Sequence, residues 1–200
     1  MSPLSVRKDL MPENIVGQLP EFMKKIEALA ELVQIDLTDY QADHIALRIN
    51  DSETAKAAHQ AWLGWGKEIS SAQINGRPII VLAFNDLLNA SRWDIECLEL
   101  PYPASGKTYP EESWEHVEFV IPSTAQSADD YLLFLQQQFP QFSQVLPQLS
   151  EMGVKMKLSS PKGEGERLPN PTVAFKYNGV CIKLHPHSLK DVVASEQSEL

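Results

Sequence analysis

The chain has 200 residues, with 17 Lys and Arg against 27 Asp and Glu, a formal net charge of −10. That balance argues against nucleic acid, whose binding needs clustered cations to release counterions, and against an anionic membrane surface. Two cysteines exclude a disulfide scaffold and a cysteine-rich zinc domain, and 43% hydrophobic with 22% charged residues is a globular composition. The first 17 residues lack the apolar core of a signal peptide, and no stretch approaches the roughly 18 apolar residues of a membrane span. A cytoplasmic protein of one or two small domains is expected.

From Leu19 to Val33 the apolar residues Leu19, Phe22, Met23, Ile26, Leu29, Ala30 and Val33 recur at three- and four-residue steps, which predicts an amphipathic helix packed on a sheet. The period then changes. His44–Ile49 reads as a strand. Asp51 or Ser52 caps a helix carrying Ala55, Ala58, His59, Trp62 and Leu63 on one face, and Gly64 and Gly66 stop it. A short strand near 67–72 leads to Asn75-Gly76, a hairpin signal, then to Ile79–Phe84 and Trp93–Leu100.

The second half repeats this order. Trp114–Ile121 is a strand, and Pro122-Ser123-Thr124 opens a helix carrying Ala128, Tyr131, Leu132, Leu135 and Phe139. Met152–Leu158 alternates with its lysines outward. Thr172–Tyr177 and Val180–His185 flank Asn178-Gly179, and Ser188 with Asp191 three residues on caps a C-terminal helix. Laid side by side, Asp43-His44-Ile45-Ala46-Leu47-Arg48-Ile49 and Glu115-His116-Val117-Glu118-Phe119-Val120-Ile121 share acid, histidine, aliphatic and isoleucine in register. Glu99-Leu100-Pro101 and His185-Pro186 end the last strands of the two halves. A duplicated βαβββ module is the simplest account. The fold expected is α+β: a helical segment at residues 1–38, one module at 39–105 and a second with its C-terminal helix at 106–200, paired as a half-barrel mixed sheet.

A βαβββ repeat with a histidine on each first strand and a ligand-type side chain near the end of each last strand resembles the vicinal oxygen chelate superfamily, which includes glyoxalases, extradiol dioxygenases, epimerases and antibiotic-resistance proteins. Within it the chain is identified as a member of the YecM family. The match lies in Ala42-Asp43-His44-Ile45, Ile74-Asn75-Gly76-Arg77-Pro78-Ile79, Glu99-Leu100-Pro101, Trp114-Glu115-His116, Ser159-Ser160-Pro161-Lys162-Gly163-Glu164, Glu166-Arg167-Leu168-Pro169-Asn170-Pro171, Ile182-Lys183 with His185-Pro186, and Val193-Ala194-Ser195-Glu196-Gln197.

The resemblance implies a cavity where the faces of the first and last strands meet. Strand alternation puts His44 with Ala46 and Arg48, His116 with Glu118, Glu99 with Cys97, and His185 with Lys183. His44, Glu99, His116 and His185 are therefore the expected metal ligands. Three imidazoles and a carboxylate suit Zn, Fe, Ni, Mn or Co without selecting among these divalent ions. Each lone histidine also has a plainer reading as a hydrogen-bonded structural residue, and Glu96 replaces Glu99 if the strand is shifted by one. His185 departs from the glyoxalase pattern, in which both last strands usually supply Glu. Glu118 is expected to orient a ligand imidazole or act as a base. Arg48 is expected to bind a substrate carboxylate or to form an ion pair with Glu118 or Glu99.

The 159–171 segment is either a binding loop, with Lys162 and Arg167 meeting an anionic substrate, or a solvated connector. His59 is expected in the core, His187 at a cap or in solvent, and Arg77 on either side of its hairpin. Cys97 and Cys181 are expected as small apolar fillers. No phosphate cradle, G-x-S-x-G, H-E-x-x-H or C-x-x-C motif is present. The functional expectation is a metal-dependent isomerase, lyase or oxygenase acting on a small oxygenated substrate, or else a protein that sequesters a metal or a small molecule.

Overall fold

The computed structural model describes residues 5–74, 76–160 and 168–197. Two short helical turns, Lys8–Leu10 and α1 (Pro12–Ile15), and a further turn at Val16–Gln18 lead into α2 (Leu19–Val33), which has the expected bounds. Its apolar stripe is buried, with Ile26 and Leu29 at 0% exposure. Burying one such side chain stabilises the fold by about 1.5–3 kcal/mol. The first module follows as β1 (Gln41–Leu47), α3 (Ser52–Trp62), β2 (Gly66–Ile74), β3 (Arg77–Ala90) and β4 (Trp93–Pro101). The second is β5 (Trp114–Val120), α4 (Ala128–Gln138), α5 (Pro140–Val145), β6 (Lys155–Ser159), β7 (Thr172–Tyr177), β8 (Val180–His185) and α6 (Leu189–Gln197).

The strands form one mixed sheet of eight in the order β2-β3-β4-β1-β5-β8-β7-β6. Each module contributes four adjacent strands, and β1 joins β5 antiparallel at the centre. The register there is that of a two-fold: His44 faces Glu118, Ile45 faces Val117, and Ala46 faces His116. All eight strands and α6 line a single cavity of about 320 Å³, so the sheet curls as expected. The helical layer packs on the opposite face. There Trp93 and Trp114 donate their ring N–H to the carbonyls of Leu37 and Ile15.

Several boundaries differ from the sequence expectation. The α4 helix begins at Ala128, not at Pro122, because Ser127 accepts from the Asp130 N–H while Ser123 is used in a local turn to Ala125. Pro140 splits the following segment: Phe139, held out of the helical region before a proline at φ −126° and ψ 84°, ends α4, and Pro140 starts the unforeseen α5. β6 starts later than Met152, since Gly153 turns the chain at φ +85°. β3 runs past Phe84 to Ala90, absorbing extra residues opposite β4 as a bulge. Asn178 and Gly179, both at positive φ, make the expected hairpin turn, whereas Asn75 lies outside the described residues. No helix among the described residues is long and apolar enough to cross a membrane.

Candidate metal centre

The register of β1 and β5 contains two irregularities, and both matter. From Ala42↔Phe119 to His44↔Glu118, β1 advances two residues while β5 advances one, so Asp43 is the extra residue of a bulge. From Ala46↔His116 to Leu47↔Trp114 the situation is reversed, and Glu115 is the extra residue. A bulge breaks strand alternation and re-aims side chains. Each bulged acid therefore reaches the ring of the histidine that follows it. Asp43 Oδ2 lies 2.8 Å from His44 Nδ1, and Glu115 Oε2 bonds His116 Nδ1. A carboxylate on Nδ1 fixes the tautomer with the proton there and leaves Nε2 as the bare nitrogen aimed at the cavity.

Those Nε2 atoms converge. His44 Nε2 is 3.2 Å from Glu118 Oε1 and 3.2 Å from Glu99 Oε2, and His116 Nε2 is 3.1 Å from the same Glu118 oxygen. Despite these distances, both nitrogens are buried without an aligned hydrogen bond. The four side chains point at a common place more than at one another. One donor atom from each of His44, Glu99, His116 and Glu118 lies within 4.8 Å of all the others. Two donors about 2.1 Å from one ion, at octahedral or tetrahedral angles, are separated by about 3.0–3.4 Å. The observed contacts fit a first-row divalent ion, and an unpaired buried nitrogen otherwise costs about 1–3 kcal/mol.

His185 is placed differently. It groups with Asp43 and His44, its Nε2 3.3 Å from Asp43 Oδ2 and its Nδ1 3.3 Å from Glu118 Oε2. The Asn170 amide oxygen accepts from the His187 N–H, which fixes the amide, so its NH₂ group faces His185 Nδ1 at 2.9 Å. The strand register explains the separation. Ala46 pairs with Glu99 in the first half, and Glu118, the equivalent of Ala46, pairs with Lys183 in the second. The counterpart of Glu99 is thus Lys183, two residues before the strand end that sequence alignment matched to it.

Charge is concentrated here. Burial opposes ionisation of Glu99, but His44 and His116 outweigh it and hold the carboxyl down to about 2. Burial likewise opposes ionisation of Asp43, which its hydrogen bonds to His185 and His44 bring to about 2. Glu115 is at about 2, burial being overcome by His116 and Arg48. Glu118, against its burial, is held well below the usual carboxylate range by His44, Lys183 and His116. For His44, burial disfavours the cation, yet Glu118, Asp43 and Glu99 raise it well above its ordinary value. His116 is raised too, Glu115 and Glu118 outweighing burial and Lys183. Such a cluster binds protons where it can equally bind a metal cation.

The remaining candidates are distributed elsewhere. Arg48 lies outside the cavity wall: its guanidinium is 3.1 Å from Glu115 Oε2 and stacks over Tyr109 at 4.6 Å. It therefore steadies the acid that aims His116. Glu99, not Glu96, reaches the centre. Lys157, expected to face away, lines the cavity. His59 is not a core residue but bridges Tyr102 and Glu68, and Arg77 donates to the Tyr102 carbonyl. Cys97 and Cys181 are buried, and burial pushes both thiols up to about 12. Lys162 and Arg167 lie outside the described residues. Asp43 and Glu115 had no assigned role in the sequence reading, although an acid before each histidine was part of the in-register repeat.

The family described as YecM protein matches residues 11–196. Protein YecM of Escherichia coli (strain K12) is 37% identical over 186 residues, 93% of this chain and 94% of the relative. An uncharacterized protein of Haemophilus influenzae (strain ATCC 51907 / DSM 11121 / KW20 / Rd) is 34% identical over 198 residues, 94% of this chain and 98% of its own. Among solved structures, the structural-genomics Protein EC4020 superposes with a TM-score of 0.76 at 31% identity, covering 98% of this chain and 100% of that one.

Proposed function

The chain belongs to the YecM family, and from that premise we propose that its cavity is a divalent-metal centre that converts a small oxygenated molecule by isomerase, lyase or oxygenase chemistry. His44, Glu99, His116 and Glu118 hold the ion. The observation that carries this reading is the pair of buried Nε2 atoms, each fixed through Nδ1 by a bulged acid and each without a hydrogen-bond partner. Imidazole and carboxylate donors suit Zn, Fe, Ni, Mn or Co alike.

A bound ion would polarise oxygens chelated to it. The residues supply the rest. Glu115 and Asp43 keep the two imidazoles oriented, Lys183 and His185 stand beside the ligand set within reach of Glu118, and α6 lines the cavity with Val192 and Val193. Ionisable groups at hand beside the cavity favour conversion of a ligand over its storage.

Elemental analysis of protein purified without chelator tests the reading. About one transition-metal ion per chain is expected in the wild type and a near-complete loss in the His44→Ala/His116→Ala variant. A variant that keeps its metal overturns it.

A further inference from the structure

The two halves of the concave face also differ away from the ligand set. On β7 and β8, Ala174 pairs with Lys183 and Lys176 with Cys181; on β3 and β4 the matching pairs are Val81 with Glu99 and Ala83 with Cys97. Lys157 faces Ala174 from β6, where Ser70 faces Val81 from β2. The second half therefore carries lysine where the first carries serine, alanine and glutamate, and the residue between them shrinks from valine to alanine.

Ala174 is the floor of a depression ringed by these cations. It lines the cavity with Lys157, Lys183 and the hydroxyl-bearing Ser159 and Thr172. Lys176 is two residues along the strand from Ala174 and diagonal to Lys157, at a backbone separation of about 7–8 Å that long side chains bridge. Lys155, on the same face as Lys157 by strand alternation, stands directly opposite Lys176. Like charges so placed are destabilising unless an anion joins them. Lys183 is committed to Glu118, 3.6 Å away. Lys155, Lys157 and Lys176 are exposed, and none of them is in an ion pair among the described residues. In a chain of net charge −10, this is a local field of the opposite sign.

A phosphate monoester carries about −1.5 to −2 charges at pH 7 and three acceptor oxygens, a match for three ammonium groups on flexible stems. A carboxylate, with one charge and two oxygens, leaves a lysine unmatched. We propose that the depression over Ala174 is a subsite for the phosphate of a small phosphate monoester, held by Lys157 and Lys176 with Lys155. The body of the ester lies against the apolar wall of Ile79 and Val81, and its far end faces the metal centre, two strands or about 10 Å away at the backbone. The subsite stands without the ion; only the assignment of the far end as the reacting end rests on the metal reading given above.

Calorimetric titration of the full chain, metal-free and metal-loaded, with n-propyl phosphate, inorganic phosphate and n-propanol tests the proposal. The wild type is expected to bind the ester in both forms at least about tenfold more tightly than either part alone. Lys157→Gln/Lys176→Gln should weaken ester binding at least about tenfold, with metal content unchanged and the melting temperature no lower. Lys24→Gln/Lys56→Gln, which removes the same charge from α2 and α3, should weaken it by less than about twofold at physiological salt. No binding of the ester, inorganic phosphate bound as tightly as the ester, or equal losses in the two double variants overturns the proposal. Lysine-dependent ester binding by a chain that takes up no metal upholds the subsite and contradicts the metal reading, which separates the two failures.

Discussion

The two halves of the sheet carry the same acid–histidine pair on the same kind of bulge, but they part company two residues further along. The first half has Ala46 on its first strand and Glu99 beside it on its last; the second has Glu118 and Lys183 at the same places. The carboxylate has moved over by one strand, and the strand it left now carries a cation. The equivalence of Asp43-His44 and Glu115-His116 concerns aiming imidazoles. The non-equivalence of Glu99 and Lys183 puts opposite charges at the same register position. A duplicated scaffold can thus preserve the geometry of two donors while changing the charge presented beside them.

The largest expected effect breaks this comparison directly. Glu118→Ala removes the carboxylate that both Nε2 atoms face and should lower metal affinity by more than about 100-fold, beyond the 10–100-fold typical of outer partners. Adding Lys183→Glu puts a carboxylate back at the position equivalent to Glu99, and Glu118→Ala/Lys183→Glu should recover a measurable part of the loss in a competition titration with a chromogenic chelator. No recovery would mean that the halves are not interchangeable at this position.

A smaller effect compares the two bulged acids. Asp43→Asn and Glu115→Gln should each weaken metal binding by about 10–100-fold by loosening the tautomer of the neighbouring histidine. Asp43→Asn should be the more damaging. Asp43 is fully buried and also accepts from the Leu189 N–H at the start of α6, whereas Glu115 is partly exposed. The same titration, with thermal melting as a control for folding, measures the difference.

The smallest effect is a dependence on pH. In the metal-free protein the raised His44 and His116 contribute stability below the unfolded imidazole value of about 6.5, and lose it as pH rises through their folded values. Glu99, Asp43 and Glu115, each held to about 2, contribute above the unfolded carboxylate values of about 4, and lose it as pH falls toward 2. Melting temperature should therefore peak between about pH 4.5 and 6.5 and decline toward pH 8. Metal loading should reverse that decline, because protons compete with the ion for the same nitrogens.

Much of this was legible in the sequence because period and repeat carry it. The stripe of α2, the Asn178-Gly179 turn and the in-register Asp43-His44 and Glu115-His116 pairs follow from spacing alone. Two features of the site did not follow. Strand alternation assigns Asp43 and Glu115 to the face opposite their histidines, and only a bulge, which leaves no mark in composition, brings them back. Likewise the match of Glu99 with His185 came from aligning strand ends, whereas inter-strand hydrogen bonding sets the register and makes Lys183 the true counterpart. Glu118 was placed on the right face, but its position directly opposite His44 depends on the pairing of β1 with β5, a contact between segments about 70 residues apart.

The central claim is that the ion sits among His44, Glu99, His116 and Glu118. Anomalous diffraction from a crystal of the metal-loaded protein, recorded at the absorption edge of the bound metal, tests it most directly. The account predicts one peak within about 2.3 Å of His44 Nε2, His116 Nε2 and oxygens of Glu99 and Glu118. A peak coordinated by Asp43 and His185, or one that leaves His116 unligated, would contradict it.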